Sequence, residues 1–405
     1  MVENGRYDVC VVGAGLVGLG VARAVAATRP DLTVVIIDKE DHVAAHQSGH
    51  NSGVVHSGLY YKPGSLKARL CAEGRNLVYE MCEQHGIPVK RCGKLVIASD
   101  PSEVPALDEL ERRGRANGLG GMTRLGPEGV KDYEPEAIGV AALHIPDSGV
   151  VDFPAMAMHI AAELRDRGVD VMTGHPVTGI EHETGGVAVT IADEERVRSR
   201  VLVNCAGLQS DRIASLAGAE PTVRIIPFRG EYYQLSEDAS ALIRGLIYPV
   251  PDPRFPFLGV HFTRRIDESV EVGPNAVLAL GREHYRGTRP EWSDVRETLA
   301  SSGFRKLAYR HWLSGSRELM SSRSTTLYSR LARKLVPAIR REHFLPGGAG
   351  VRAQAVTPDG SLVDDFVIER VGSTVHVLNA PSPGATASMA IGRYIAEQII
   401  PLVEN

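Results

Sequence analysis

The residues best suited to do chemistry come first in the chain. Gly13-Ala-Gly15-Leu-Val-Gly18 follows a short apolar run, Tyr7 to Val12, and leads into a second apolar stretch from Leu19 to Ala27. Each small residue in this spacing answers a physical need. Gly13 permits a tight turn, Gly15 lets the backbone approach a pyrophosphate, and Gly18 with Ala22 lets the following helix pack closely on a sheet. The start of that helix offers unpaired N–H groups and the positive end of its dipole to phosphate oxygens. A further apolar run, Thr33 to Ile37, ends at Asp38, twenty residues past Gly18. A carboxylate there can accept both hydroxyls of an adenosine ribose, and Lys39 beside it is a further candidate at the same edge. Glycine-rich turns alone are common. A strand before, a helix after and an acid at this distance make the pattern a dinucleotide-binding fingerprint.

The elements that must position these residues are spread along the chain. Asp152 to Arg167 reads as an amphipathic helix, followed by strands at Val169 to Met172, Val187 to Ile191 and Val197 to Asn204. The last of these runs into Asn204-Cys205-Ala206-Gly207 and a helix from about Gln209. A third strand-to-helix passage lies at Thr374 to Leu378, with Asn379-Ala-Pro-Ser-Pro383-Gly384-Ala385-Thr386 and a helix from about Ser388 to Ile399. Between them, Val223 to Leu235, Leu258 to Thr263 and Val270 to Val272 alternate as strands of a mixed antiparallel sheet. A chain that leaves its nucleotide fold and returns to it twice points to FAD rather than a nicotinamide cofactor. The expected fold class is α/β: a glutathione-reductase-type, Rossmann-like FAD-binding domain from residues 1–86, 150–220 and 345–405. An α+β substrate domain with a mixed antiparallel sheet takes residues 87–149 and 221–344.

Composition agrees with two domains in a water-exposed chain. At 405 residues the chain exceeds one compact core. A net charge of −4 argues against a general nucleic-acid binder. No apolar run is long enough to span a bilayer, and the short polar Met1 to Arg6 does not read as a signal peptide, so a cytoplasmic location is expected. The five cysteines include no CxxC pair, which speaks against a zinc site or a disulfide framework; no metal is expected. Cys10 and Cys205, inside apolar runs, read as packing residues.

Four longer stretches carry a more specific signal: His46-Gln-Ser48-Gly-His50-Asn51-Ser52-Gly53-Val-Val-His56-Ser-Gly58; Pro227-Phe-Arg-Gly-Glu-Tyr232; Tyr248 to His261; and Gly350-Val-Arg352-Ala-Gln354 to Gly360 with Asn379 to Pro383. With the fingerprint and Asn204 to Asp211, they resemble the D-amino-acid-oxidase-like FAD superfamily, and within it the L-2-hydroxyglutarate oxidases and dehydrogenases. Asp38 stands where such flavoproteins often have Glu, and Gly384 where Ala is expected. The resemblance implies removal of a hydride from the Cα of a small 2-hydroxy acid and loss of its hydroxyl proton, with electrons passed to oxygen or a membrane quinone. An amino-acid or sarcosine-type oxidase is the alternative in the same fold.

That reaction sets three needs. The flavin must lie against the chain: Ser48, His50, Asn51, Ser52 and Gly53 form a small-residue loop, Ala206 and Gly207 a second, and Pro383, Gly384, Ala385 and Thr386 should turn N–H groups toward the flavin N1/C2 carbonyl edge. A base must take the hydroxyl proton, and His56 and His261 are the candidates; each could instead be a packed or surface histidine. The carboxylates need cations. Arg352 stands where related amino-acid oxidases clamp the substrate carboxylate, a charge-assisted bond of about 1.5–3 kcal/mol. Tyr60, Tyr61, Lys62 and Arg264 are candidates for a distal carboxylate, and Tyr232 and Tyr233 for a wall that is half core, half pocket. Finally, Arg305 to Arg341 is strongly basic, with apolar residues at Leu327, Leu331, Leu335, Val336 and Ile339 in helical spacing. It reads either as a solvated helical cover on the substrate domain or as a peripheral membrane-docking face.

Overall fold

The computed structural model describes residues 6–251, 259–285, 289–311 and 324–404. β1 (Arg6–Val12) is apolar without alternation, as a strand covered on both faces must be, and Val9, Cys10 and Val11 are fully buried. It pairs in parallel with β2 (Val34–Ile37) on one side and with Arg196–Asn204 on the other. Arg196–Asn204 pairs in turn, also in parallel, with Thr374–Asn379. Asp170–Met172 extends the sheet beyond β2, and two antiparallel hairpins bring it to eight strands. The centre of this sheet is thus assembled from the start, the middle and the far end of the sequence.

α1 (Leu16–Thr28) begins directly after Gly15 and packs against the last helix, Gly384–Glu404. The contact is backbone on backbone. A Cβ on Gly20 would stand 2.6 Å from the Ser388 carbonyl oxygen, and one on Gly392 would overlap the Gly20 carbonyl oxygen. The helix Leu66–His85 joins them, capped at its start by the Ser65 hydroxyl, which accepts from the Ala68 amide. A core of aliphatic side chains from these helices and the Phe153–Asp166 helix covers one face of the sheet.

The second sheet has nine strands. Arg224–Leu235 runs antiparallel to Phe344–Val356 along nearly its whole length. Leu246–Pro249 lies parallel to Lys94–Ala98, and the remaining pairs are antiparallel, so the sheet is mixed. A small three-stranded sheet of Val54–Val55, Val89–Lys90 and Gly149–Val151 joins the segments on either side of the chain's first departure from the nucleotide sheet. A buried ion pair between Arg282 and Asp211 ties the helix Ser210–Leu216 to the loop ahead of the helix Trp292–Ala300.

Two expectations need adjustment. Phe344–Val356 belongs by pairing to the second sheet, so the chain rejoins the first sheet at Val367–Val371, later than residue 345. The helical spacing from Leu327 to Ile339 is only partly a helix, which spans Thr325–Ala332. Pro337 has no N–H and disfavours helix in the residue before it. Leu335, Val336 and Ile339 are buried in the second core with Phe262 and Tyr328, while Leu327 and Leu331 remain exposed. Most of that apolar stripe is therefore interior packing. Arg317, Glu318 and Arg323 of the basic segment, and residues 252–258 of the Tyr248 to His261 motif, lie outside the described residues. All five cysteines are free.

The helix crossing gives a direct test. Gly392→Val drives a side chain into the Gly20 carbonyl and should destabilise the protein by about 1–3 kcal/mol through overpacking. Thermal unfolding should report a lowered Tm, and the variant should retain less bound flavin per chain, because both helix starts shift.

Candidate active site

A cavity of about 960 Å³ runs from the ends of β1 and β2 to the face of the second sheet. At one end the sequence fingerprint sets the geometry. Gly13 has φ +109°, and a Cβ there would stand 2.5 Å from the Cys205 carbonyl oxygen, so the turn after β1 rests on the turn after Arg196–Asn204. The Asp38 carboxylate is held by two backbone amides, Ala14 N–H to Oδ2 at 2.6 Å and Glu40 N–H to Oδ1 at 2.9 Å. A carboxylate has about four lone-pair sites, so both oxygens keep capacity for ribose hydroxyls. The Ser48 hydroxyl accepts the Leu16 amide at 2.9 Å and fixes the helix start over the cavity. Lys39 lines this end and is engaged with Glu40, with Glu283 at 2.9 Å and with His46. His50 stacks on Tyr285 with ring centroids 4.1 Å apart.

The loop from Ser48 to Gly58 is then pinned to the last helix. Asn51 shapes it, donating to the Gln47 and Ser48 carbonyls and accepting the Gly53 amide. The Thr386 hydroxyl accepts the His56 amide at 3.1 Å and donates to the Val54 carbonyl at 3.3 Å. Pro383, Gly384, Ala385 and Thr386 line the cavity in the first helical turn, where amides lack intrahelical acceptors. Ser52, Ala206 and Gly207 line it too.

At the opposite end stand His56, His261, Arg352, Tyr60, Tyr61, Tyr232, Tyr248 and Gln354. His261 Nδ1 is 2.9 Å from the Gly259 carbonyl oxygen, which can only accept, so the ring hydrogen sits on Nδ1 and Nε2 carries the lone pair. The ring stacks on Tyr248 at 4.1 Å. Burial, then the positive charges of Arg352 and Lys94, lower the His261 pKa to about 3. His56, with Nε2 3.3 Å from the Ser382 hydroxyl, is lowered to about 3 by burial, then by Lys94, His261, Lys67 and Arg352. Both imidazoles are therefore neutral. Arg352 opens onto the cavity and hydrogen-bonds with Tyr232.

Several candidates fall elsewhere. Arg264 is three residues from His261 on the same strand and so faces the other way; it donates to the Ser240 and Ile243 carbonyls and pairs with Glu268, away from the cavity. Tyr233 alternates with Tyr232 and packs with Tyr328 and Phe344 in the second core. Lys62 is exposed outside the cavity. Gly18 packs against the Gly13 carbonyl, and Gly53 forms a left-handed turn whose carbonyl accepts the Val151 amide; neither lines the cavity. Lys94 was hidden from sequence reading because it opens an apolar strand, Lys94–Ala98, and looks like a solvated strand end. It is 1% exposed, with Nζ 4.8 Å from the Tyr60 ring centroid and 4.7 Å from that of Tyr248.

Two helix starts, a ribose-facing carboxylate and a cavity at the upper end of ligand-pocket sizes fit a cofactor with a pyrophosphate at one end and a ring system at the other. The family model described as FAD dependent oxidoreductase (DAO) matches residues 8–398. The chain belongs to this FAD-dependent oxidoreductase family. Among its relatives, the L-2-hydroxyglutarate dehydrogenase of Indibacter alkaliphilus is 43% identical, covering 96% of this chain and 98% of its own length. The mitochondrial L-2-hydroxyglutarate dehydrogenase of Homo sapiens is 43% identical over 98% of this chain and 89% of its own. The same fold is seen in L-alpha-glycerophosphate oxidase from Mycoplasma pneumoniae with FAD bound, at TM-score 0.79 and 23% identity, covering 99% of this chain and 95% of that one. Glycine oxidase from Geobacillus kaustophilus shares it at TM-score 0.72 and 18% identity, covering 98% and 95%. FAD is thus the cofactor of this oxidoreductase, and the fingerprint end of the cavity suits its adenosine diphosphate half.

Asp38→Ala removes the carboxylate whose remaining lone pairs suit ribose hydroxyls and frees the Ala14 and Glu40 amides. FAD affinity should fall roughly tenfold to a hundredfold, the value of losing charge-assisted hydrogen bonds. Flavin fluorescence released on dilution reads this; retention as tight as in the wild type would remove Asp38 from the cofactor site.

Proposed function

We propose that this enzyme oxidises L-2-hydroxyglutarate to 2-oxoglutarate. The observation that carries the reading is the convergence of a guanidinium and two neutral imidazoles on one end of the cavity. The full-length similarity to proteins named L-2-hydroxyglutarate dehydrogenase supports it.

Bound FAD supplies the acceptor for the hydride that leaves Cα. The chain supplies position and a proton acceptor. Arg352 takes the carboxylate next to Cα in a bidentate pair, with Tyr232 holding the guanidinium. His261 is the base: its Nδ1–H is committed to Gly259, so Nε2 receives the hydroxyl proton as the hydride departs and the carbinol becomes a ketone. Burial, and after it the nearby cations, keep the imidazoles neutral, and the negative charge the substrate brings offsets the cations and raises the basicity of Nε2 as it is needed. With carboxylate and hydroxyl both fixed, only one enantiomer can aim its Cα hydrogen at the acceptor.

The expected kinetics are specific. L-2-hydroxyglutarate should bleach the flavin under anaerobic conditions, and the D-enantiomer and amino acids should not; bleaching by an amino acid alone would assign an amine oxidase instead. His261→Ala should slow flavin reduction by about 10²–10⁴-fold, more than His56→Ala, and the reverse order would transfer the role to His56. Because His56 and His261 of the free enzyme are neutral down to about pH 3, kcat/KM should show no acid limb near pH 6.5, the value of an ordinary imidazole. A limb at that pH in stopped-flow profiles would contradict this assignment.

For the electron acceptor we favour a membrane quinone over oxygen. No helix among the described residues is long and apolar enough to cross a membrane, so contact would be peripheral. The helical stretch 302–311 exposes Arg305, Lys306, Tyr309 and Arg310, with Tyr309 84% exposed, and Arg330, Arg333 and Lys334 lie beside exposed Leu327 and Leu331. Each cation near an anionic leaflet contributes about 1 kcal/mol. The protein should sediment with anionic vesicles at low salt and be released at high salt. Absence of binding at every ionic strength would assign the electrons to a soluble acceptor such as oxygen.

A further inference from the structure

Lys94 is a buried cation for which the described residues supply no counter-charge. Its strand, Lys94–Ala98, lies between Ala141–Ile145 and Leu246–Pro249 in the second sheet. Among the described residues its ammonium makes no hydrogen bond or ion pair. Its neighbours are the faces of Tyr60 and Tyr248, at 4.8 and 4.7 Å. Cation–π contact offsets part of the cost of burying a charge, but a buried charge normally has a partner of opposite sign.

Both tyrosines line the cavity. The Tyr248 hydroxyl is engaged with Thr263. The Tyr60 hydroxyl is buried and, among the described residues, has no hydrogen-bond partner. Such a group is costly to leave unpaired and marks a place for a ligand atom. Lys94 itself sits behind the two tyrosines, and Lys67, the buried lysine that does line the cavity, is already balanced by Asp364 at 2.9 Å. Gln354 spends its amide on the Ala355 and Val363 carbonyls. The unsatisfied charge and the unsatisfied donor therefore meet at one tyrosine.

We propose that the Tyr60 hydroxyl, backed by Lys94, is the subsite for the substrate's second carboxylate, and that this pair makes the enzyme select dicarboxylic over monocarboxylic 2-hydroxy acids. This rests on the reading of Arg352 as the clamp of the first carboxylate. Tyr60 donates its O–H to the carboxylate. Lys94, 4.8 Å from the centre of the same ring, supplies the positive field that makes the phenol a stronger donor and neutralises the arriving charge. Burial holds the Lys94 pKa near 8, so the ammonium form predominates at neutral pH. Lys94 is a positioning residue acting through Tyr60; Arg264 and Lys62, the cations the sequence offered for this task, lie outside the cavity.

The test uses the FAD-loaded protein and non-reacting ligands. Glutarate and butyrate are titrated separately and followed by perturbation of the flavin absorption spectrum. Wild type should prefer glutarate. In Lys94→Met, which keeps the side-chain volume and removes the charge, the glutarate-to-butyrate affinity ratio should collapse by about tenfold to a hundredfold. Tyr60→Phe should move the ratio the same way by a smaller factor, and it carries the test alone if Lys94→Met fails to hold flavin. In turnover, Lys94→Met should raise KM for L-2-hydroxyglutarate much more than it lowers the saturating rate. A ratio equal to the wild type's in both variants overturns the subsite, as does an equal loss for both ligands. If wild type prefers glutarate but L-2-hydroxyglutarate does not bleach its flavin, the substrate assignment fails while the subsite stands.

Discussion

Everything at this site depends on how closely two helices approach. α1 and the last helix meet through Gly20, Ser388 and Gly392 with backbone atoms in contact. That crossing fixes the separation of their N-termini, and each N-terminus faces a different part of the same cavity. One start, after Gly15, is suited to a pyrophosphate; the other, at Gly384, lines the cavity with its first turn. Helix dipoles act within about a turn of their ends, so a shift of even one residue in the crossing would take both fields off target. The Thr386 hydroxyl, bridging Val54 and the His56 amide, carries this alignment on to the loop that bears one of the two imidazoles.

The reacting end follows a single electrostatic logic. Arg352 and Lys94 make it positive, and the burial of Lys94 keeps water from screening its charge. The same positive field disfavours protonated histidine and favours an anionic ligand. Burial is the first cause of the neutral imidazoles, and the same cations that add to it also suit the site to an anionic ligand.

The sequence showed the fingerprint end well because each of its residues is constrained by local backbone geometry: a left-handed turn at Gly13, close contact at Gly18, an acid at the end of β2. It also showed the interleaved topology, since three strand-to-helix passages recur where the chain must re-enter one sheet. The reacting end was less legible because its residues come from a sheet read across strands. Tyr232 and Tyr233, or His261 and Arg264, are told apart only by which face of the strand they occupy, and that phase is set by partners far away in sequence. Lys94 was missed for a related reason: a charge at the head of an apolar strand looks solvated until the strands on both sides of it are known. The spacing from Leu327 to Ile339 reads as one continuous helix, yet only Thr325–Ala332 is helical and Leu335, Val336 and Ile339 turn into the core, because spacing alone does not show where a helix stops.

The order of strands in the first sheet bears on how the enzyme is made. Its centre pairs Arg196–Asn204 with Thr374–Asn379, and the last residues to line the cavity, Pro383 to Thr386 at the start of the last helix, follow only after that strand. A ribosome adding about 5–20 residues per second needs some tens of seconds between emitting Gly13 and emitting that helix. For that interval the first glycine turn has no completed site, and the nascent chain holds an unfilled place beside Arg196–Asn204 where an edge strand is exposed. The cavity therefore cannot close until the last helix is made, and until then the half-built sheet keeps an edge that the finished one covers.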